Sequence, residues 1–84
     1  MDYEYLTFRS VTAAMKASRA LLDADITGAL IRTPQALRVR GCGYSVRILS
    51  EKRLRALDVL ARSGARPEKR YRRAADGVWQ EVGQ

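Results

Sequence analysis

Two stretches of this chain repeat their apolar residues at helical spacing, and neither can bury its apolar side without a sheet to lie on. In the first, Val11, Ala14, Met15, Ser18, Leu21 and Leu22 share a face, while Thr12, Lys16, Arg19 and Asp23 take the opposite one. Ser10 stands before it as an N-cap, and Asp23-Ala24-Asp25 turns the chain after about Leu22. In the second, Leu54, Leu57, Leu60 and Ala61 form the apolar stripe, and Lys52, Arg55, Asp58 and Arg62 face water. Ser50 is its expected cap and Gly64 its terminator. A chain of 84 residues has room for one domain, residues 1–84, so both helices must share one sheet.

The strands follow from the segments that remain. Tyr3–Phe8 mixes aromatic, Leu and Thr residues in a way that suits a pleated surface. Ile26–Arg32 reads as a second strand, ended by Pro34, with Gly28 marking either a bulge or a close neighbour. Residues 34–43 keep neither period and read as a loop with a short helical turn at Gln35–Leu37. Tyr44, Val46 and Ile48 alternate with Ser45 and Arg47 as in a half-buried third strand. Beyond Pro67, Lys69–Arg73 and Val78–Val82 flank Asp76-Gly77, a strong hairpin dipeptide. The expected fold class is therefore α+β: a ferredoxin-like βαββαβ sandwich, two helices on one face of an antiparallel sheet, with a C-terminal hairpin arm.

The residue inventory removes many chemistries. Without histidine there is no Ser-His-Asp or Cys-His arrangement and no zinc site of the common mixed type. A single cysteine makes neither a CxxC pair nor an internal disulfide, and the carboxylates are scattered. Gly41-Cys42-Gly43 lacks the spacing and the Lys-Ser/Thr of a phosphate loop. No metal or cofactor is expected. The opening Met1–Tyr5 does not read as a secretory signal, no apolar run reaches membrane-spanning length, and a lone thiol suits the cytoplasm, which is the expected compartment.

What survives is the thiol of Cys42. Glycines on both sides, Gly41 and Gly43, strip away side-chain bulk, so a large partner can approach the sulfur. Arg38, Arg40 and Arg47 bring cations near it in sequence, and a nearby cation favours thiolate over thiol. Such a site suits a nucleophile that accepts and passes on a group, with no built-in proton relay. The plain alternative is a small apolar filler at the start of a strand.

The segments Tyr5-Leu6-Thr7-Phe8, Ile31-Arg32-Thr33-Pro34 and above all Cys42-Gly43-Tyr44-Ser45-Val46-Arg47 resemble the family of small selenium/sulfur carrier-like domains, over roughly residues 3–73. The resemblance implies a non-enzymatic thiol carrier with Cys42 as acceptor, working between sulfur or selenium donor and acceptor proteins. Small hydroxyl residues often precede the Cys-Gly pair in that family. Here Arg38, Val39 and Arg40 stand in that region.

Two other classes compete with a carrier. The net charge of +7 favours acidic partners. Tyr3, Tyr5, Tyr44, Tyr71 and Trp79, with Arg66, Lys69, Arg70, Arg72 and Arg73, are the residues a nucleic-acid-binding sheet would use. Read plainly, they are edge packing and a solvated strand face. In a homo-oligomeric interaction module, Val78 and Trp79 would instead pair the hairpin with another subunit.

Overall fold

The structure, a computed structural model, describes residues 2–38 and 43–83. Along the chain run β1 (Tyr3–Thr7), α1 (Val11–Asp23), β2 (Ala29–Arg32), a 3-10 turn at Gln35–Leu37, β3 (Tyr44–Leu49), a second 3-10 turn at Ser50–Lys52, α2 (Arg53–Arg62), β4 (Lys69–Arg73) and β5 (Trp79–Val82). The strands form one antiparallel sheet in the order β2-β3-β1-β4-β5. The expected α+β class holds, and so does the added hairpin. No helix among the described residues is long and apolar enough to cross a membrane.

One cluster of buried side chains joins Leu6, Val46 and Ile48 of the sheet to Ala14, Ala17 and Leu21 of α1 and to Ala56 and Leu60 of α2. Three of the five helix residues are alanines, which let the helices lie close to the sheet. Their smallness also corrects both expected stripes. The buried line of α1 runs through Ala14, Ala17 and Leu21, leaving Val11, Met15 and Leu22 exposed. That of α2 runs through Ala56 and Leu60, and Leu54 is 74% exposed. A reading that weights large apolar residues rotates each helix away from its true contact, because alanine at a tight crossing buries fully and contributes little to the apparent pattern.

The ends of the helices explain the remaining differences. Ser10 caps α1 as expected, its side chain accepting from the Ala13 N–H at 3.1 Å. At the other end Asp25 takes φ 61°, and the Ile26 and Asp25 N–H groups donate to the Leu21 and Leu22 carbonyls at 2.8 and 2.9 Å. Ile26 is thereby spent in closing the helix, so β2 starts at Ala29 rather than Ile26. Gly64, at φ 68°, ends α2 in the same way, with Ala65 N–H on Leu60 O at 2.9 Å and Gly64 N–H on Ala61 O at 3.3 Å. Ser50 does not cap α2. It opens the interposed 3-10 turn, Lys52 holds the cap position without a side-chain bond, and the Ser50 hydroxyl is buried with no hydrogen-bond partner among the described residues.

Gly28 is the close neighbour of the two readings offered above: a Cβ there would meet Leu21 Cδ1 at 2.6 Å and Val46 Cγ1 at 3.0 Å. Its carbonyl accepts the Ser18 hydroxyl at 2.8 Å, pinning the entry to β2 against α1. The Asp76-Gly77 hairpin is also present. Gly77 has φ 87°, its N–H donates to Ala74 O, and Ala74 N–H donates to Val78 O, so the loop is three residues long with glycine in the left-handed position.

Candidate functional site

Cys42, Gly41 and Arg40 lie outside the described residues, and the site is therefore built from what flanks them: Arg38, Gly43 and Arg47, with the neighbours that position each. β2 and β3 pair from Ala29↔Arg47 to Arg32↔Tyr44. The register continues one step further, where Thr33 N–H donates to Gly43 O at 2.7 Å. That bond closes the hairpin and defines the mouth of the connection between the two strands.

Two hydroxyls sit at this mouth. Thr33 Oγ1 and Ser45 Oγ share a hydrogen bond of 2.7 Å, and the residues are 3% and 0% exposed. Each hydroxyl thus satisfies a buried neighbour, which makes the pair cheap to bury and rigid in geometry. From Thr33 the chain passes Pro34 into the 3-10 turn, closed by Leu37 N–H on Pro34 O at 2.9 Å, with Leu37 buried. Arg38 follows, and its Nη2 donates to Thr33 O at 3.0 Å. The guanidinium is tied to the mouth of the hairpin while the residue remains exposed.

Gly43 has no described atom within 4 Å of where a Cβ would stand, and its backbone is not in the left-handed region. Among the described residues nothing packed beside it demands glycine there. Arg47 belongs to a different neighbourhood. It pairs in register with Tyr5 of β1, and its guanidinium lies 4.5 Å from the centre of the Tyr3 ring. The structure thus brings Arg38 and Gly43 to one end of the hairpin and turns Arg47 toward Tyr3.

The Thr33–Ser45 pair escaped the sequence reading, although a signal for it exists. Once β2 and β3 are paired by alternation, Thr33 falls opposite Gly43 and diagonal to Ser45. The two hydroxyls come from Ser45 of β3 and from Thr33, the residue that follows β2.

A second polar cluster was also missed. Glu4 is fully buried and carries three arginines: Arg70 Nη1 on Oε1 at 3.1 Å, and Arg72 Nη2 and Arg53 Nη1 on Oε2 at 3.5 Å each. Arg70 also donates to the Gly83 carbonyl, which ties the end of the hairpin arm to β4. The arginine run of β4 is therefore not one solvated face. Alternation sends Arg70 and Arg72 inward to Glu4, and sends Lys69, Tyr71 and Arg73 to the other side. Tyr44, grouped above with the other rings, packs instead against the main core.

Residues 2–72 match the model of the family described as "Putative Se/S carrier protein-like". A search of curated proteins and a search of solved structures returned no match.

Proposed function

Because the chain belongs to the Se/S carrier-like family, whose model spans residues 2–72, we propose that it carries sulfur or selenium on the thiol of Cys42. The observation that carries this reading is that the matched span contains a single cysteine, so the cargo chemistry of the family has one side chain to run through.

The reaction is an exchange at sulfur. The Cys42 thiolate attacks the outer sulfur of a donor persulfide, R–S–SH, or the selenium of its analogue, R–S–SeH. The bond from that atom to the donor sulfur breaks, the donor leaves as thiolate, and Cys42 holds the new S–SH or S–SeH group. No electrons are gained or lost overall, and the proton travels with the transferred atom. The second half is the same exchange run toward an acceptor thiolate, which is why a carrier needs no general base. Gly41 and Gly43 would keep the approach open, in line with the absence of any described atom within 4 Å of a Cβ at Gly43. Arg38 and Arg40 supply positive charge that favours thiolate and suits an anionic donor, while Arg47, turned toward Tyr3, takes no part. The frame that presents the loop reads as ferredoxin-like: β2-β3-β1-β4 with both helices packed on one side, extended by β5. The reducing cytoplasm, where a lone thiol stays free, is the compartment this role calls for.

The test is intact-mass measurement after incubation with a cysteine desulfurase and cysteine, or with a donor protein charged as R–S–SeH. Wild type should gain one chalcogen atom and Cys42→Ser none. Arg38→Ala should be alkylated at Cys42 about two- to fivefold more slowly than wild type at neutral pH, the worth of one surface charge. A wild-type protein that stays unmodified by either donor removes the carrier reading.

A further inference from the structure

The side of the sheet that the helices leave uncovered collects the aromatic rings. In β1, Glu4 and Leu6 point into the helix side, so Tyr3 and Tyr5 point away from it. Register carries the same face outward: Tyr5 stands opposite Arg47 on one side and Tyr71 on the other, and Arg73 stands opposite Trp79. The rings do not sit as isolated surface residues. Tyr5 and Trp79 meet edge to face with centroids 4.8 Å apart, Arg73 lies 5.5 Å over the Trp79 ring, and Arg47 lies 4.5 Å over Tyr3. Beside them opens a groove of about 440 Å³, lined by Tyr3, Tyr5, Arg73, Asp2, Asp76 and Gly77. Asp76 is occupied in the turn, its Oδ1 accepting from Val78 N–H at 3.0 Å.

We propose that this face binds single-stranded nucleic acid, with bases stacking on Tyr5, Tyr71 and Trp79 and with Arg47 and Arg73 meeting the phosphates. Three features point to that occupant. Rings interleaved with guanidiniums match an unpaired strand, whose bases offer π-faces and whose backbone offers charge at each step. The charge suits that occupant: in a chain of net charge +7 the face carries Arg47, Lys69 and Arg73, and of the carboxylates beside them Glu81 is paired with Lys69 at 3.7 Å and Asp76 is held in the turn, which leaves Asp2 at the groove. The face has little aliphatic surface beside its rings, since most of the large exposed aliphatics, Val11, Met15, Leu22 and Leu54, lie on the helices. The inference does not rest on the thiol chemistry of Cys42.

Trp79 is the chain's single tryptophan and reports on its own face. The full chain is titrated with single-stranded RNA and DNA of roughly 12 nucleotides, with the matching duplex and with heparin, at about 50 and about 200 mM salt. Single strands should quench Trp79 fluorescence and bind much more weakly at the higher salt, while heparin should bind without comparable quenching. Tyr5→Leu and Tyr71→Leu, which keep apolar bulk and are checked for folding by circular dichroism, should each weaken binding about tenfold. Arg73→Ala should weaken it more than Arg62→Ala, which removes the same charge from the opposite side of the molecule. Cys42→Ser should bind as wild type does. No quenching by any single strand at the lower salt overturns the proposal. So does binding in which heparin or duplex equals the single strand and both leucine variants match wild type, since that is charge alone, and so does capture of a protein partner on this face that nucleic acid fails to displace.

Discussion

Replacing Glu4 by Gln keeps the shape of the side chain and removes the charge that three arginines share. The cost can be worked from exposure. Glu4 and Arg70 are 0% and 6% exposed at 3.1 Å, so deleting the carboxylate charge leaves a buried guanidinium uncompensated, a loss of about 3–5 kcal/mol. Arg53 and Arg72 are 36% and 42% exposed and can turn toward water, so each adds no more than about 1 kcal/mol. A chain of this length has a total stability of roughly 4–13 kcal/mol, so Glu4→Gln removes a large part of it. Urea unfolding followed by circular dichroism would show the midpoint falling at constant slope, and thermal unfolding a drop of about 4–8 °C per kcal/mol. A second variant separates the worth of the pair from the penalty of a widowed charge. Glu4→Leu combined with Arg70→Met removes both partners and should lie within about 1 kcal/mol of wild type, because an apolar pair of similar volume avoids the desolvation of two ions. If Glu4→Gln costs less than about 1 kcal/mol, or the double variant is no better than the single one, the argument from burial is wrong.

Other substitutions test the local structure by the same unfolding measurement. Ser10→Ala should lose about 1 kcal/mol and Ser50→Ala less than about 0.5, since only Ser10 receives a helix N–H; equal losses would mean that Ser50 caps α2 after all. Gly28→Ala should cost about 1–3 kcal/mol, because its methyl would fall 2.6 Å from a Leu21 that is itself fully buried, and a neutral result would show that Leu21 has room to move. Asp25→Gly should gain about 0.5–1 kcal/mol by relieving a left-handed residue at the end of α1, and a loss would indicate that the carboxylate has a partner worth more than the backbone relief.

What could be read from the residues and what could not divide along a physical line. Features fixed by a residue's own backbone preferences were legible: Ser10 as a cap, Gly64 as a stop, Asp76-Gly77 as a hairpin, Pro34 leading into the turn at Gln35–Leu37. Alternation also placed β3, and with it the approach to the candidate cysteine. Features that depend on which elements meet were not. The buried lines of α1 and α2 run through alanines whose burial is decided by how near the sheet lies, and no residue within either helix records that distance. Glu4 counted only among the scattered carboxylates because its partners come from β4 and α2, forty-nine or more positions away in the chain. The Thr33–Ser45 pair shows the intermediate case, local in sequence and fixed by register, visible only after two strands are laid side by side. The same consideration bears on the uncovered face of the sheet. Tyr3, Tyr5, Tyr71 and Trp79 are scattered through the sequence, and it is the strand order β1-β4-β5, together with the inward turn of Arg70 and Arg72, that makes them one surface. The hydroxyl pair at the mouth of the β2–β3 hairpin and the rings of the uncovered face are thus fixed by different register contacts, so each can be lost by mutation without the other.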